Sequence, residues 1–354
     1  MEKTKLFAST FLHDLKNLHT AYFALVMATG IVSIAAHNYN FFFVSKFLFH
    51  LNIGAYLFLS AMYILRVIFY FPSFSADASD HAKSPGLLTF VAGSCVLGSQ
   101  FVIILENFQI ATLLFYTGAI AWLAIIYTVF TSLTVKKEKP AINNAISGVW
   151  LLIIVSTQSV SILGAQLANY LPFNHEQTLF FSLIMFLCGC MFYIIVITLI
   201  VYRMSFFSMK AEEFAPPYWI NMGAVAISTL AGSTLILNAP SFELLTSILP
   251  FLKGFTLFYW AIGTWWIPLI VILGIWRHIF KQLPLKYHPQ YWGMIFPMGM
   301  YTVCTFKLSQ ALGLPFLMAI PSFFVYIAIV AWGIAAAGMF YSIGRDYLFV
   351  SKHA

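Results

Sequence analysis

Charge is what this chain has least of. Asp, Glu, Lys and Arg make up 8% of its 354 residues, where a soluble domain carries about 25%. Carboxylates are the scarcer half, 11 against 18 Lys and Arg. All fall in loops, in tails or at the ends of apolar runs, as Glu106, Glu176 and Glu243 do. A cation path or a carboxylate proton relay would need one at mid-membrane depth, so both are excluded. No His/Asp/Glu cluster has metal-ligand spacing, no histidine pair is set inside the apolar runs to hold a haem, and no Gly-rich phosphate loop is present. No metal, no cofactor and no catalytic residue is therefore expected, and the chain does not read as an enzyme. The four cysteines, Cys95, Cys188, Cys190 and Cys304, lie inside apolar segments and read as small packing residues. Strand-like alternation is missing, which excludes a β-barrel.

What is present is apolar length. Hydrophobic residues supply 61% of the chain, and mean hydropathy is +0.89. Runs of spanning length recur throughout, and the fold class is all-α and polytopic, in a lipid bilayer. Ten spans are expected, over 19–37, 47–70, 86–104, 109–134, 146–169, 178–202, 217–237, 253–276, 290–311 and 317–342. They leave short tails over 1–18 and 343–354 and one membrane domain over 19–342. The first run lacks a small-residue cleavage site and reads as a retained helix. Segments 41–46 and 241–251 read as short interfacial pieces.

Basic residues test the count. All but three of the 18 fall on the side of the N-terminus, the exceptions being Lys46, Lys253 and Lys307. That asymmetry places both termini in the cytoplasm, in the inner (plasma) membrane of a cell. The net charge of +7 is scattered over short loops, so no nucleic-acid partner is expected.

The chain also repeats. "PPYWINMGAVAIST" opens the seventh span and "PQYWGMIFPMGMYT" the ninth; "TAYFALVMATG", "SPGLLTFVAGSC" and "SGVWLLIIVST" open the first, third and fifth. Anchored on Phe23, Leu88, Trp150, Trp219 and Trp292, these define five helical hairpins. Seven residues past the anchors stand Gly30, Cys95, Thr157, Ala226 and Gly299, all small. Such a column marks either close helix packing or five equivalent helices holding an axis open. Hydroxyls concentrated on the odd spans favour the second reading, with Thr29, Gly30, Ser33, Ser94, Cys95, Ser156, Thr157, Ala226, Thr229, Gly299 and Thr302 lining a pore.

The stretch "WGMIFPMGMYTVCTFK" sets Phe296, Pro297 and Gly299 one turn into the ninth span and ends on Lys307. Pro297 removes a helix hydrogen bond and bends the helix. Phe296 then either plugs the axis or packs between helices. Lys307 lies about 16 Å further along at 1.5 Å per residue. It reads either as a lysine snorkelling to headgroups or as a charge attracting anions at the outer mouth.

"AYFALVMATGIVSIA" and "YWGMIFPMG" followed by a downstream lysine resemble the tellurite-resistance/dicarboxylate transporter family, which includes the slow-type anion channels of plants. The resemblance covers 19–342. It implies five hairpins in a quasi-fivefold ring, odd helices around a central pore, even helices outside, and a homotrimer with one pore per subunit. It also implies a phenylalanine gate, here Phe296, with Phe306 the weaker match. The function expected is a channel for small inorganic or organic anions. The alternative is a secondary carrier exporting C4-dicarboxylates or tellurium oxyanions by alternating access. A membrane enzyme or scaffold is disfavoured by the missing catalytic constellation.

Overall fold

The computed structural model describes residues 10–345, and the outermost parts of both expected tails lie outside them. All ten expected spans are helices. We number them α1 (Ala24–Asn38), α2 (Phe42–Phe69), α3 (Thr89–Leu105), α4 (Phe108–Val135), α5 (Leu152–Gln166), α6 (His175–Phe206), α7 (Ile220–Asn238), α8 (Leu249–Ile275), α9 (Trp292–Leu312) and α10 (Ala319–Gly344). No strand occurs among the described residues. Segment 41–46 is not a separate piece, because α2 runs through it. A short helix, Glu243–Ser247, does stand apart within 241–251.

Each odd helix packs on the even helix that follows it, giving five hairpins. The odd helices also pack on one another in sequence, α1 on α3, α3 on α5, α5 on α7 and α7 on α9, and α9 closes on α1. The result is a closed inner ring wrapped by an outer one. Burial separates the two: the most apolar windows through α3, α5 and α7 are 78%, 94% and 89% buried, whereas those of α2, α4, α6, α8 and α10 are between 17% and 39% buried. Eight of the ten helices are long and apolar enough to cross a membrane on their own. The other two, α1 and α9, belong to the inner ring. α1 has only 15 residues, and Gly, Thr and Lys dilute the hydropathy of α9. Both are shielded by protein, so neither has to satisfy lipid.

The inner helices share a way of starting. Tight 3₁₀ turns at Ser84–Leu88, Gly148–Leu151, Pro216–Trp219 and Pro289–Tyr291 lead into α3, α5, α7 and α9. Proline at the first or second position opens three of them, where its missing N–H costs nothing. These turns gather at the end of the bundle that carries both termini, here called the near end. Gly148 is required there, because the carbonyl of Pro217 occupies the place of a Cβ.

The near end is fastened by cations. Arg66, at the end of α2, donates to the Lys16 carbonyl at 3.1 Å and pairs with Asp77 at 2.5 Å. Lys136, after α4, donates to the Ser79 carbonyl. Arg203 of α6 donates to the Ile146 carbonyl at 2.6 Å and pairs with Glu213 at 2.9 Å. Arg277, after α8, reaches the Phe214 carbonyl. In all four, a cation ending an outer helix holds the linker that precedes its own hairpin. The lopsided charge of the sequence is thus also a set of clamps.

Burial opposes ionisation of Asp77, but Lys83 and Arg66 together hold its carboxyl below the ordinary 3.8. A depressed carboxylate stabilises the fold at all pH values above its unfolded pKa, and that contribution is lost as pH falls through the depressed value. Asp77→Asn should therefore lower the thermal midpoint by about 2–4 °C at pH 7. In a pH series of melts, the gap to wild type should close below 3.8.

Candidate functional site

Two cavities lie on the axis of the inner ring, and every inner helix lines both. The far cavity has a water-accessible volume of about 40 Å³, room for roughly three waters. Its walls include Ile31 and Ile34 of α1, Val96 and Ser99 of α3, Ser159, Ile162 and Gln166 of α5, Ile227, Leu230 and Thr234 of α7, and Met300, Val303 and Lys307 of α9. The near cavity is about 20 Å³ and is bounded by Met27, Thr89, Leu152, Ile220 and Phe296, with His19 and Gln290 at its mouth.

These walls obey one register. Lining residues fall one, four, eight, eleven and fifteen positions past the anchors, the alternating three- and four-residue step of a single helix face. In α5 the same series holds if the anchor is Leu151, one residue later than Trp150. The column expected from the sequence, seven past the anchors, is about 100° away around four of the helices and about twice that in α5. Of the eleven expected lining residues, only Cys95 has atoms on either cavity.

The others have definite places. A Cβ at Gly30 would lie 2.5 Å from Val96 and 3.0 Å from Asn52, and one at Gly299 would lie 2.8 Å from Ile31. Both glycines are where inner helices touch, so close packing explains them. Ser33 donates to the Ser45 carbonyl of α2. Ser156, Thr229 and Thr302 are fully buried and donate to carbonyls of their own helices. Ala226 is buried beside lining Ile227. Phe306 packs against Tyr39 at 5.8 Å, away from both cavities.

The remaining hydroxyls follow a rule that periodicity did not reveal. Trp332 of α10 donates to Thr29 of α1 at 3.0 Å, Trp122 of α4 to Thr157 of α5 at 2.9 Å, and Trp260 of α8 to Thr305 of α9 at 3.0 Å. Tyr56 of α2 donates to Ser94 of α3 at 2.9 Å, since Ser94 spends its own proton on the Phe90 carbonyl. Four of the five outer helices thus hand an aromatic donor to the inner helix of the next hairpin. Between α6 and α7 the device changes. Gln158 of α5 reaches across to the Phe186 carbonyl at 3.0 Å and to Ser228 at 3.2 Å, in space that Gly189 leaves open.

Between the cavities the axis is closed. Met27 and Phe296, each 1% exposed, cap the near cavity from neighbouring helices α1 and α9. The equivalent positions on the other three helices are Ala92, Val155 and Gly223, which leaves space for the two long side chains. Ile31, Val96, Ile227 and Met300 floor the far cavity one turn on, about 6 Å along the helices. Pro297 stays inside a continuous α9, and its ring fills the notch at Gly223, 2.7 Å from the position of a Cβ there. Among the described residues, Lys307 is the one of permanent charge lining either cavity. Stepping from Phe296 by four, three and four residues gives Met300, Val303 and Lys307, so this face of α9 was already written in the sequence.

A sequence profile described as voltage-dependent anion channel, SLAC1, matches residues 17–340. The chain belongs to this family. Among its relatives are two uncharacterized transporters of Methanocaldococcus jannaschii. One is 25% identical over 309 residues, 84% of this chain and 87% of the relative; the other is 26% identical over 298 residues, 81% and 82%. An uncharacterized membrane protein of Mycobacterium tuberculosis is 35% identical over 159 residues, 44% of this chain and 80% of the relative. The family is one of membrane anion transporters and channels, and its members include the tellurite-resistance/dicarboxylate transporters that the motifs resemble.

The hydroxyl rule separates ring fastening from conduction. Thr157→Val strands the Trp122 N–H and should cost about 1 kcal/mol in a thermal or chemical unfolding assay. Trp122→Phe should cost a similar amount, and the double variant less than the sum of the two. Anion flux per folded molecule should stay at the wild-type level in all three.

Proposed function

We propose that this protein is an anion channel whose path is the axis of the inner ring, held shut by Phe296 with Met27. One observation carries the reading: two cavities lined by all five inner helices are parted by an apolar septum one turn thick, with Phe296 on its near side. An apolar constriction blocks ions by excluding water, and rotation of one ring suffices to wet it. Lys307 draws anions to the far mouth. With no carboxylate of the described residues on either cavity wall, cations find no partner there. The near end, rich in basic residues, faces the cytoplasm, and the membrane is the plasma membrane. Three subunits associate through their outer helices, each keeping its own path. Permeant species are small inorganic anions and organic acids.

The closed ring favours a channel over a carrier. Alternating access by rocking needs two bodies that move against each other, whereas here every inner helix is packed on two others.

Planar-bilayer current in asymmetric chloride tests the reading. Wild type should pass little current. Phe296→Ala should pass anion-selective unitary currents at least tenfold larger, with a smaller rise in Met27→Ala. Silence in all three, with labelled malate still accumulating in proteoliposomes, would overturn the channel and leave the carrier.

A further inference from the structure

The far cavity is polar at its rim and apolar at its floor. Fifteen residues past the anchors stand Asn38, Ile103, Gln166, Thr234 and Lys307, and all but Asn38 line the cavity. Lys307 has no ion-pair or hydrogen-bond partner among the described residues. Gln166 Oε1 is a buried acceptor without a partner, and its amide N–H groups make no hydrogen bond among the described residues, so this rim amide is not tied down by the protein. Thr234 spends its proton on the Leu230 carbonyl at 2.8 Å. Beneath this rim the floor is Ile31, Val96, Ile227 and Met300 with Ser159, whose proton goes to the Val155 carbonyl at 2.8 Å; Ser99 stands one turn above it.

We infer that this cavity is a binding site for short aliphatic monocarboxylates, in the range from formate to propionate. The inference builds on the reading of the axis as an anion path and names the class of anion it selects. A carboxylate has two acceptor oxygens. One takes an N–H of the Lys307 ammonium, and the other takes an amide N–H of Gln166, which has no partner of its own. A halide is a single point that the ammonium satisfies alone, and it gains nothing from the amide that a second carboxylate oxygen would gain. The short hydrocarbon end rests on the apolar floor. A second carboxylate would have to enter toward that floor, where no cation meets it and the Ser99 hydroxyl is the one untied donor among the described residues, so dicarboxylates bind less well. The cavity, about 40 Å³ to water, holds roughly three waters and so suits three to five non-hydrogen atoms.

Binding to the purified protein by titration calorimetry tests this with acetate, chloride and succinate as probes. Acetate should bind about tenfold tighter than chloride or succinate. Gln166→Leu should weaken acetate about tenfold and leave chloride unchanged. Lys307→Gln should weaken both, and Lys307→Arg should retain both; thermal melts establish that each variant is folded. Equal affinity for acetate and chloride, tighter succinate, or unaltered acetate binding by folded Gln166→Leu would overturn the site. Because no membrane is involved, silence in the bilayer with acetate selectivity intact would sink the channel alone. Currents without acetate selectivity would sink the site alone.

Discussion

Every polar group carried into hydrocarbon must find its partner within the protein, and this constraint organises the molecule. The inner helices are rich in Ser and Thr, yet their hydroxyls are nearly all spoken for. Most of the protons go to a carbonyl one turn back or, from Ser33 and Ser161, to a carbonyl of the outer ring, and four of the oxygens receive a Trp or Tyr donor from the outer ring. The same contact serves both rings. It satisfies a hydroxyl that would be costly in lipid and gives the amphipathic indole a partner for its N–H. Individually such bonds are weak in membranes, averaging about 0.6 kcal/mol. Their placement matters more than their strength, because each crosses from one hairpin to the next and so fixes the order of the ring.

The architecture was legible to an unusual depth, and the axis was not. Five motif-bearing spans, an even number of crossings and the one-sided cations led to ten helices in five hairpins, and the helices formed where expected. Face assignment failed because hydroxyls were assumed to seek water. In a two-layered helical ring they can seek the other layer instead, as Thr157 does with Trp122. Small residues misled for a related reason, since Gly30 and Gly299 sit where helices touch. Phe296 and Lys307 were singled out for chemistry rather than for periodicity, and both came to lie on cavity walls. Gln166 and Thr234 were missed, although the three- and four-residue step through Phe296 would have led to their layer.

The two ends of the bundle use positive charge differently. At the near end, Arg66, Lys136, Arg203 and Arg277 are committed to carbonyls and carboxylates of the linkers, so their charge is spent on holding the chain together. At the far end, Lys307 has no such commitment. A cation without a protein partner is expensive to keep partly buried, and a mobile counter-charge is the natural relief.

The two long side chains that cap the near cavity come from the first and last inner helices of the chain. Met27 is made early in translation and Phe296 only after four hairpins exist. An arc of four hairpins has no closed wall, and one event, the docking of α9 on α1, both closes it and brings Phe296 to the cavity that Met27 lines. On the proposed reading of the axis as an anion path, wall and constriction would thus be completed together during synthesis. A chain that ends early would expose a polar seam to lipid, a substrate for quality control and not a leak.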